Sequence, residues 1–230
     1  MNAPEISVTP DEDFSPALRV QLLATEHWSL LASRSTTQNE LLVRIAIFVT
    51  LVSASVVGLA LVGQATDFSG RFDVFAIVLF SVLVVVGTLT LLRVANGSYE
   101  DMAYVIGMNR LRAAYAELDP GITRYLVASP HDDERGIAQT YAYFPHSSAV
   151  VQPLASSSML ILSVDAVVAA VLAGLVANAA DGSGVVIGVA AASGAAIYLL
   201  ASLSWFARGY RTVQRDYAAR FPHPSRKELA

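Results

Sequence analysis

Apolar residues gather in four long blocks, separated by two short polar links and bounded by three longer mixed segments. The blocks are IAIFVTLVSASVVGLALVG (45–63), VFAIVLFSVLVVVGTLTLL (74–92), MLILSVDAVVAAVLAGLVANAA (159–180) and VVIGVAAASGAAIYLLASLSWFA (185–207). Each approaches or exceeds the roughly 20 residues an α-helix needs to cross a bilayer, where only internal hydrogen bonds can satisfy the backbone. The links QATDFSGRFD and DGSG are short and carry Gly and Asp. The pattern predicts an all-α integral membrane protein, with four transmembrane helices in two hairpins and helical extensions outside the membrane.

The two pairs differ in texture. The first is rich in Val, Leu, Ile and Phe, the second in Ala and Gly. Ala166, Ala170 and Gly174 recur every four residues, as do Ala169, Ala173 and Ala177, and in the last block Gly188, Ala192 and Ala196. Small residues at that spacing let helix backbones approach closely, so these three stripes are expected packing faces.

Outside the blocks, Ser15 and Pro16 suit the start of a helix over 15–34, with Val20, Leu23, His27, Leu30 and Leu31 as its apolar stripe. Thr37-Gln38-Asn39-Glu40 reads as a capping box that starts a second helix running into the first span. The second span is expected to continue, with a break at Asn96-Gly97, and to stop at Asp119-Pro120-Gly121. Residues 121–155 read as irregular. The resulting division is an acidic disordered tail (1–14), extramembrane helices (15–44), a first hairpin (45–95), a helix and loop (96–156), a second hairpin (157–207) and a basic C-terminal helix or tail (208–230).

Composition agrees with the pattern: 54% of residues are hydrophobic and 15% charged, against about 25% charged in a soluble domain. Fourteen of the fifteen Lys and Arg residues fall on one side, and Arg71 alone lies in a link. The positive-inside rule then places both termini and the middle segment in the cytoplasm of an inner-membrane, multi-pass protein. The net charge of −4 argues against nucleic acid as a partner. With no cysteine, thiolate metal sites and thiol nucleophiles are excluded.

Chemistry-bearing residues are few. Gly107-Met108-Asn109 matches the filter triplet of CorA-type magnesium channels, but it follows the second span and precedes Arg110 and Arg112, so it reads as ordinary amphipathic helix. Asp165 is the sharpest candidate. A carboxyl inside a span by default marks an ion path or proton relay. The alternatives are a neutral carboxyl, a bond to a hydroxyl such as Ser53, Ser55, Ser81 or Thr88, or a span that begins later. Arg208, Arg211 and Arg215 share a helix face just past the last block and suit anionic lipid headgroups. His131-Asp132-Asp133-Glu134 reads as a solvated loop, because four consecutive residues cannot all face one ion. His27 and Trp28 read as packing residues, with His27 a candidate pH sensor. The sequence holds no phosphate loop, catalytic triad, metal motif or dinucleotide fingerprint. No cofactor, no metal and no enzymatic activity are expected.

The first hairpin with its flanking helices, residues about 15–118, resembles the SLATT-type membrane effectors of bacterial conflict systems. That resemblance implies membrane pore formation; the second hairpin departs from the two-span pattern. The functional expectation is an oligomeric membrane pore or ion channel, a symmetric ring placing one Asp165 per subunit around its axis. The alternative is a non-conducting scaffold or accessory subunit whose extramembrane helices recruit a cytoplasmic protein. Lipid is a partner in either case.

Overall fold

Long runs free of proline and rich in Leu, Val and Ala leave little to interrupt a helix, and the computed structural model is built from very long ones. It describes residues 15–141 and 156–224, without the side chains of residues 210 and 213–216. The acidic tail, the aromatic stretch of the 140s beyond Tyr141, and Arg226 and Lys227 lie outside the described residues. The elements are α1 (Pro16–Ala65), α2 (Gly70–Leu118), a 3-10 turn (Pro120–Tyr125), α3 (Glu134–Tyr141), α4 (Ser157–Ala179) and α5 (Gly184–Asp216). Four of these, α1, α2, α4 and α5, are long and apolar enough to cross a membrane, and the chain is read as a multi-pass membrane protein.

Ser15 caps α1 through its hydroxyl, 3.3 Å from the Leu18 amide. The expected breaks in α1 and α2 are absent. Of the supposed capping box, Gln38 binds Asp101 (2.9 Å) and Glu40 binds Arg93 (3.0 Å) and Arg44 (2.9 Å). These side chains are spent on neighbours, so nothing stops the helix. Gly97 also sits mid-helix: a side chain there would strike the Leu41 methyls, so the glycine permits a close approach of α2 to α1. Ser98 returns its hydroxyl to the Val94 carbonyl (3.1 Å) rather than capping a new helix. The stop after Leu118 is as expected, and Asp119 caps the following turn through the Gly121 amide (2.9 Å).

The chain divides into two compact units. The first gathers, among described residues, 15–34, 104–141 and 219–224; the second gathers 35–103 and 156–218. In the second, Ile45 and Phe48 of α1, Leu91 and Val94 of α2, and Ile161 and Leu162 of α4 form a buried cluster, with Tyr198, Leu199 and Phe206 of α5 packed on it. Phe80, Leu83 and Val168 form another. Within lipid such packing gains dispersion contacts rather than a hydrophobic driving force.

Helices α4 and α5 pack along their length. Both stripes of α4 are used: a Cβ on Gly174 would meet Ala191 (3.6 Å) and Ile187 (3.7 Å), and a Cβ on Gly194 would press on Ala173 and the Ala169 carbonyl. The expected stripe of α5 is wrong by rotation. Gly188, Ala192 and Ala196 are exposed, whereas Ile187, Ala191, Gly194, Ala195 and Tyr198 turn inward. A spacing of four fits several faces of an alanine-rich helix, and the larger Tyr198 decides which one is buried. Between α4 and α5 a Schellman turn puts Asp181 at φ 57°, with the Gly182 amide on the Ala177 carbonyl and the Asp181 amide on the Asn178 carbonyl, both at 3.0 Å.

In the first unit, the inward face of α1 runs through Leu23, His27 and Leu30, while Val20, Leu31 and Trp28 (72% exposed) point out. Trp28 is therefore not a packing residue here. His27 stacks on Tyr115 with centroids 5.9 Å apart, and the Tyr115 hydroxyl donates to the Leu23 carbonyl (3.1 Å). Gly107 receives the Leu30 side chain.

Candidate functional site

Asp165 is fully enclosed (0% exposed), a little over two turns into α4. The Tyr198 hydroxyl of α5 donates to Asp165 Oδ2 at 2.9 Å. The Thr88 hydroxyl of α2 lies 3.0 Å from the Tyr198 oxygen, within hydrogen-bond reach, and also donates to the Val84 carbonyl of its own helix (2.7 Å). The other carboxyl oxygen, Oδ1, is buried without a hydrogen-bond partner among the described residues. It lies against Gly87, where a Cβ would collide with it. Glycine therefore lets α2 come close enough to wall the carboxyl in. Thr88, Ser53 and Ser81 all bond their own helix carbonyls, at Val84 (2.7 Å), Val49 (2.9 Å) and Ile77 (2.7 Å), and of these Thr88 also reaches the cluster, through Tyr198 (3.0 Å). Sequence reasoning missed Tyr198 and Gly87, though Tyr198 is the only tyrosine inside any of the four blocks.

Arg208 and Arg211 are exposed on α5, and the Arg211 Nε bonds the Ala207 carbonyl (3.0 Å). The side chain of Arg215 is outside the described residues. A groove of about 460 Å³ on α4 and α5, lined by Ser163, Ala166, Ala170, Gly174, Ala191 and Ala195 among others, is almost wholly apolar.

The expected solvated loop 131–134 is instead the best-built polar cluster of the first unit. Asp132 is 0% exposed. Its Oδ2 accepts from Arg110 Nε (2.8 Å) and the Arg220 amide (3.0 Å), and its Oδ1 accepts from the Phe221 amide (2.7 Å). Asp133 caps α3 through the Gly136 amide (2.8 Å), and it accepts from the amide (2.9 Å) and ring Nδ1 (2.8 Å) of His223. Burial works to raise the Asp133 carboxyl, but the His223 and Gly136 amides and the His223 ring outweigh it and hold the group below its ordinary range. The His131 and His223 rings pack in a tilted contact, with centroids 3.9 Å apart. The acidic run looked solvated because its partners, 220–223, lie about ninety residues downstream.

Gly107-Met108-Asn109 belongs to the same structure rather than to an ordinary amphipathic surface. Met108 is buried and Asn109 is 0% exposed. The Asn109 amide donates to the His131 carbonyl (2.8 Å) and accepts from Arg112 (2.7 Å) and Thr140 (3.0 Å). An amide with donors and acceptor all satisfied fixes the loop against α2. His27 is held below its ordinary range, first by burial and then by Arg112. Among the described residues no group of three or more metal-ligating side chains converges.

No protein family, characterised protein or solved structure matches this chain, so the site geometry is what speaks to function.

Proposed function

We propose that this protein is a non-conducting multi-pass membrane scaffold or accessory subunit. On this reading the apolar helices anchor it in the inner membrane, both termini lie in the cytoplasm, and the unit built on Asn109 and Asp132 is its face toward a soluble protein. Arg208, Arg211 and Arg215 rest at the headgroups of anionic lipid. The observation that carries the reading is Asp165. Its carboxyl is enclosed by Gly87, Thr88 and Tyr198 of the same chain and spent on a hydrogen bond that ties α4 to α5. A carboxyl used this way fastens helices together rather than offering itself to a passing ion.

The second reading, an oligomeric pore or ion channel of the SLATT-like kind, is favoured by one observation: Asp165 Oδ1 retains unused acceptor capacity. Ion and proton flux through the purified protein in liposomes separates the two, with wild type beside Asp165→Asn. The scaffold reading expects leakage equal to empty liposomes for both proteins. Flux in the wild type that Asp165→Asn abolishes overturns it in favour of the pore.

A further inference from the structure

Residues 219–224 follow α5, which ends at Asp216, and the backbone bends at Arg220 and Phe221. Ala219, Phe221 and His223 are half-buried while Arg220, Pro222 and Pro224 are exposed. Residues 131–133 grip the backbone of this strap. Asp132 takes the amides of Arg220 (3.0 Å) and Phe221 (2.7 Å), and returns its own amide to the Phe221 carbonyl (3.3 Å). His131 Nδ1 lies 3.3 Å from the same carbonyl, which can only accept, so that nitrogen carries the proton. Asp133 takes the His223 amide (2.9 Å). Of the four positions 220–223, the one whose amide is unused is Pro222, which has none to offer. The clip reads the backbone of a bent segment, with a buried carboxylate at its centre and one side chain, His223, recognised in particular.

We propose that the clip is an exchange site: a second copy of this chain inserts its own 219–224 strap into it, so that the protein associates by swapping C-terminal straps. The identical segment of another copy offers every hydrogen bond the clip requires. Only Tyr217 and Ala218 connect α5 to the strap, with Tyr217 extended at φ −92° and ψ 120°. A short hinge before an element gripped by many bonds is the arrangement in which copies exchange that element at low cost. The inference does not depend on whether the protein conducts.

The chain has no cysteine, so introduced thiols report alone. Copies carrying only His131→Cys and copies carrying only His223→Cys are co-expressed with different tags, then treated in membranes with a short thiol-specific bis-electrophile. Cross-linking between the two tags requires the strap of one copy in the clip of the other and is the expected result. Adding Asp132→Ala to the His131→Cys copy should lower its yield by at least about tenfold, because the Arg220 and Phe221 amides of the strap both lose their buried acceptor. The double variant His131→Cys/His223→Cys on one chain reads the closed form. A bridge within single chains and none between tags overturns exchange. No bridge of either kind overturns the clip itself. Flux measured on the same membranes bears on the scaffold reading alone.

Discussion

A methyl group on Gly87 would land on Asp165 Oδ1, so Gly87→Ala tests whether the carboxyl really is pressed between α2 and α4. Either the helices separate or the carboxyl turns. Overpacking of this kind costs about 1–3 kcal/mol. Turning the carboxyl also spoils the bond from Tyr198, and such bonds average about 0.6 kcal/mol inside membrane proteins. The expected loss is about 2 kcal/mol. Asp165→Ala alone should cost less than about 1 kcal/mol, because the Tyr198 hydroxyl keeps Thr88 as a partner. In the Asp165→Ala background the new methyl fills vacated space, and Gly87→Ala should then fall within about 0.5 kcal/mol of neutral, the usual scatter for uncoupled sites. The assay is denaturant unfolding in mild detergent of all four proteins, read as a double-mutant cycle. Equal costs for Gly87→Ala in both backgrounds would refute the contact, since the penalty would then arise elsewhere on α2.

Two further changes are predicted. The folded state holds His27 below its ordinary range, so the unfolded chain takes up this proton first. Stability should therefore decline as pH falls through about 6.5 toward the lower folded value; His27→Phe should flatten that slope between pH 7 and 5, seen as the pH dependence of the unfolding midpoint. Asp181 holds a left-handed backbone at φ 57°, which costs a non-glycine residue about 1 kcal/mol. Asp181→Gly should raise the midpoint of thermal unfolding, and a drop would show that the Asp side chain supports the turn.

The membrane blocks were legible because their signal is additive: any 19-residue apolar run reports itself, whatever it packs against. So was the stop at Asp119-Pro120, which is local chemistry. The supposed breaks at Thr37 and Asn96-Gly97 fail for the opposite reason. Capping residues and glycine have two uses, and only the neighbours at Arg93, Asp101 and Leu41 decide between them. Asp165 could be singled out as costly in an apolar run, but its partners come from two other helices. The grip of Asp132 on Phe221 spans 89 residues; no short window of sequence contains it, which is why an interior carboxylate reads as a wet loop.

The partnership of Asp165 with Tyr198 has a consequence for how the chain is made. The two residues are 33 apart, and at roughly 5–20 residues per second the first is synthesised ~2–7 s before the second. During that interval α4 carries a carboxyl into the bilayer, a cost of about 2.5–3.5 kcal/mol at a helix centre, with the Tyr198 hydroxyl still unmade. The Leu, Ile and Val residues of α4 must outweigh it, each by about 0.3–0.6 kcal/mol. Entry of α4 is thus driven by its apolar side chains, and arrival of α5 is the step that closes the polar site. A slow or displaced α5 would leave newborn chains with the Asp165 carboxyl open and its Tyr198 partner missing.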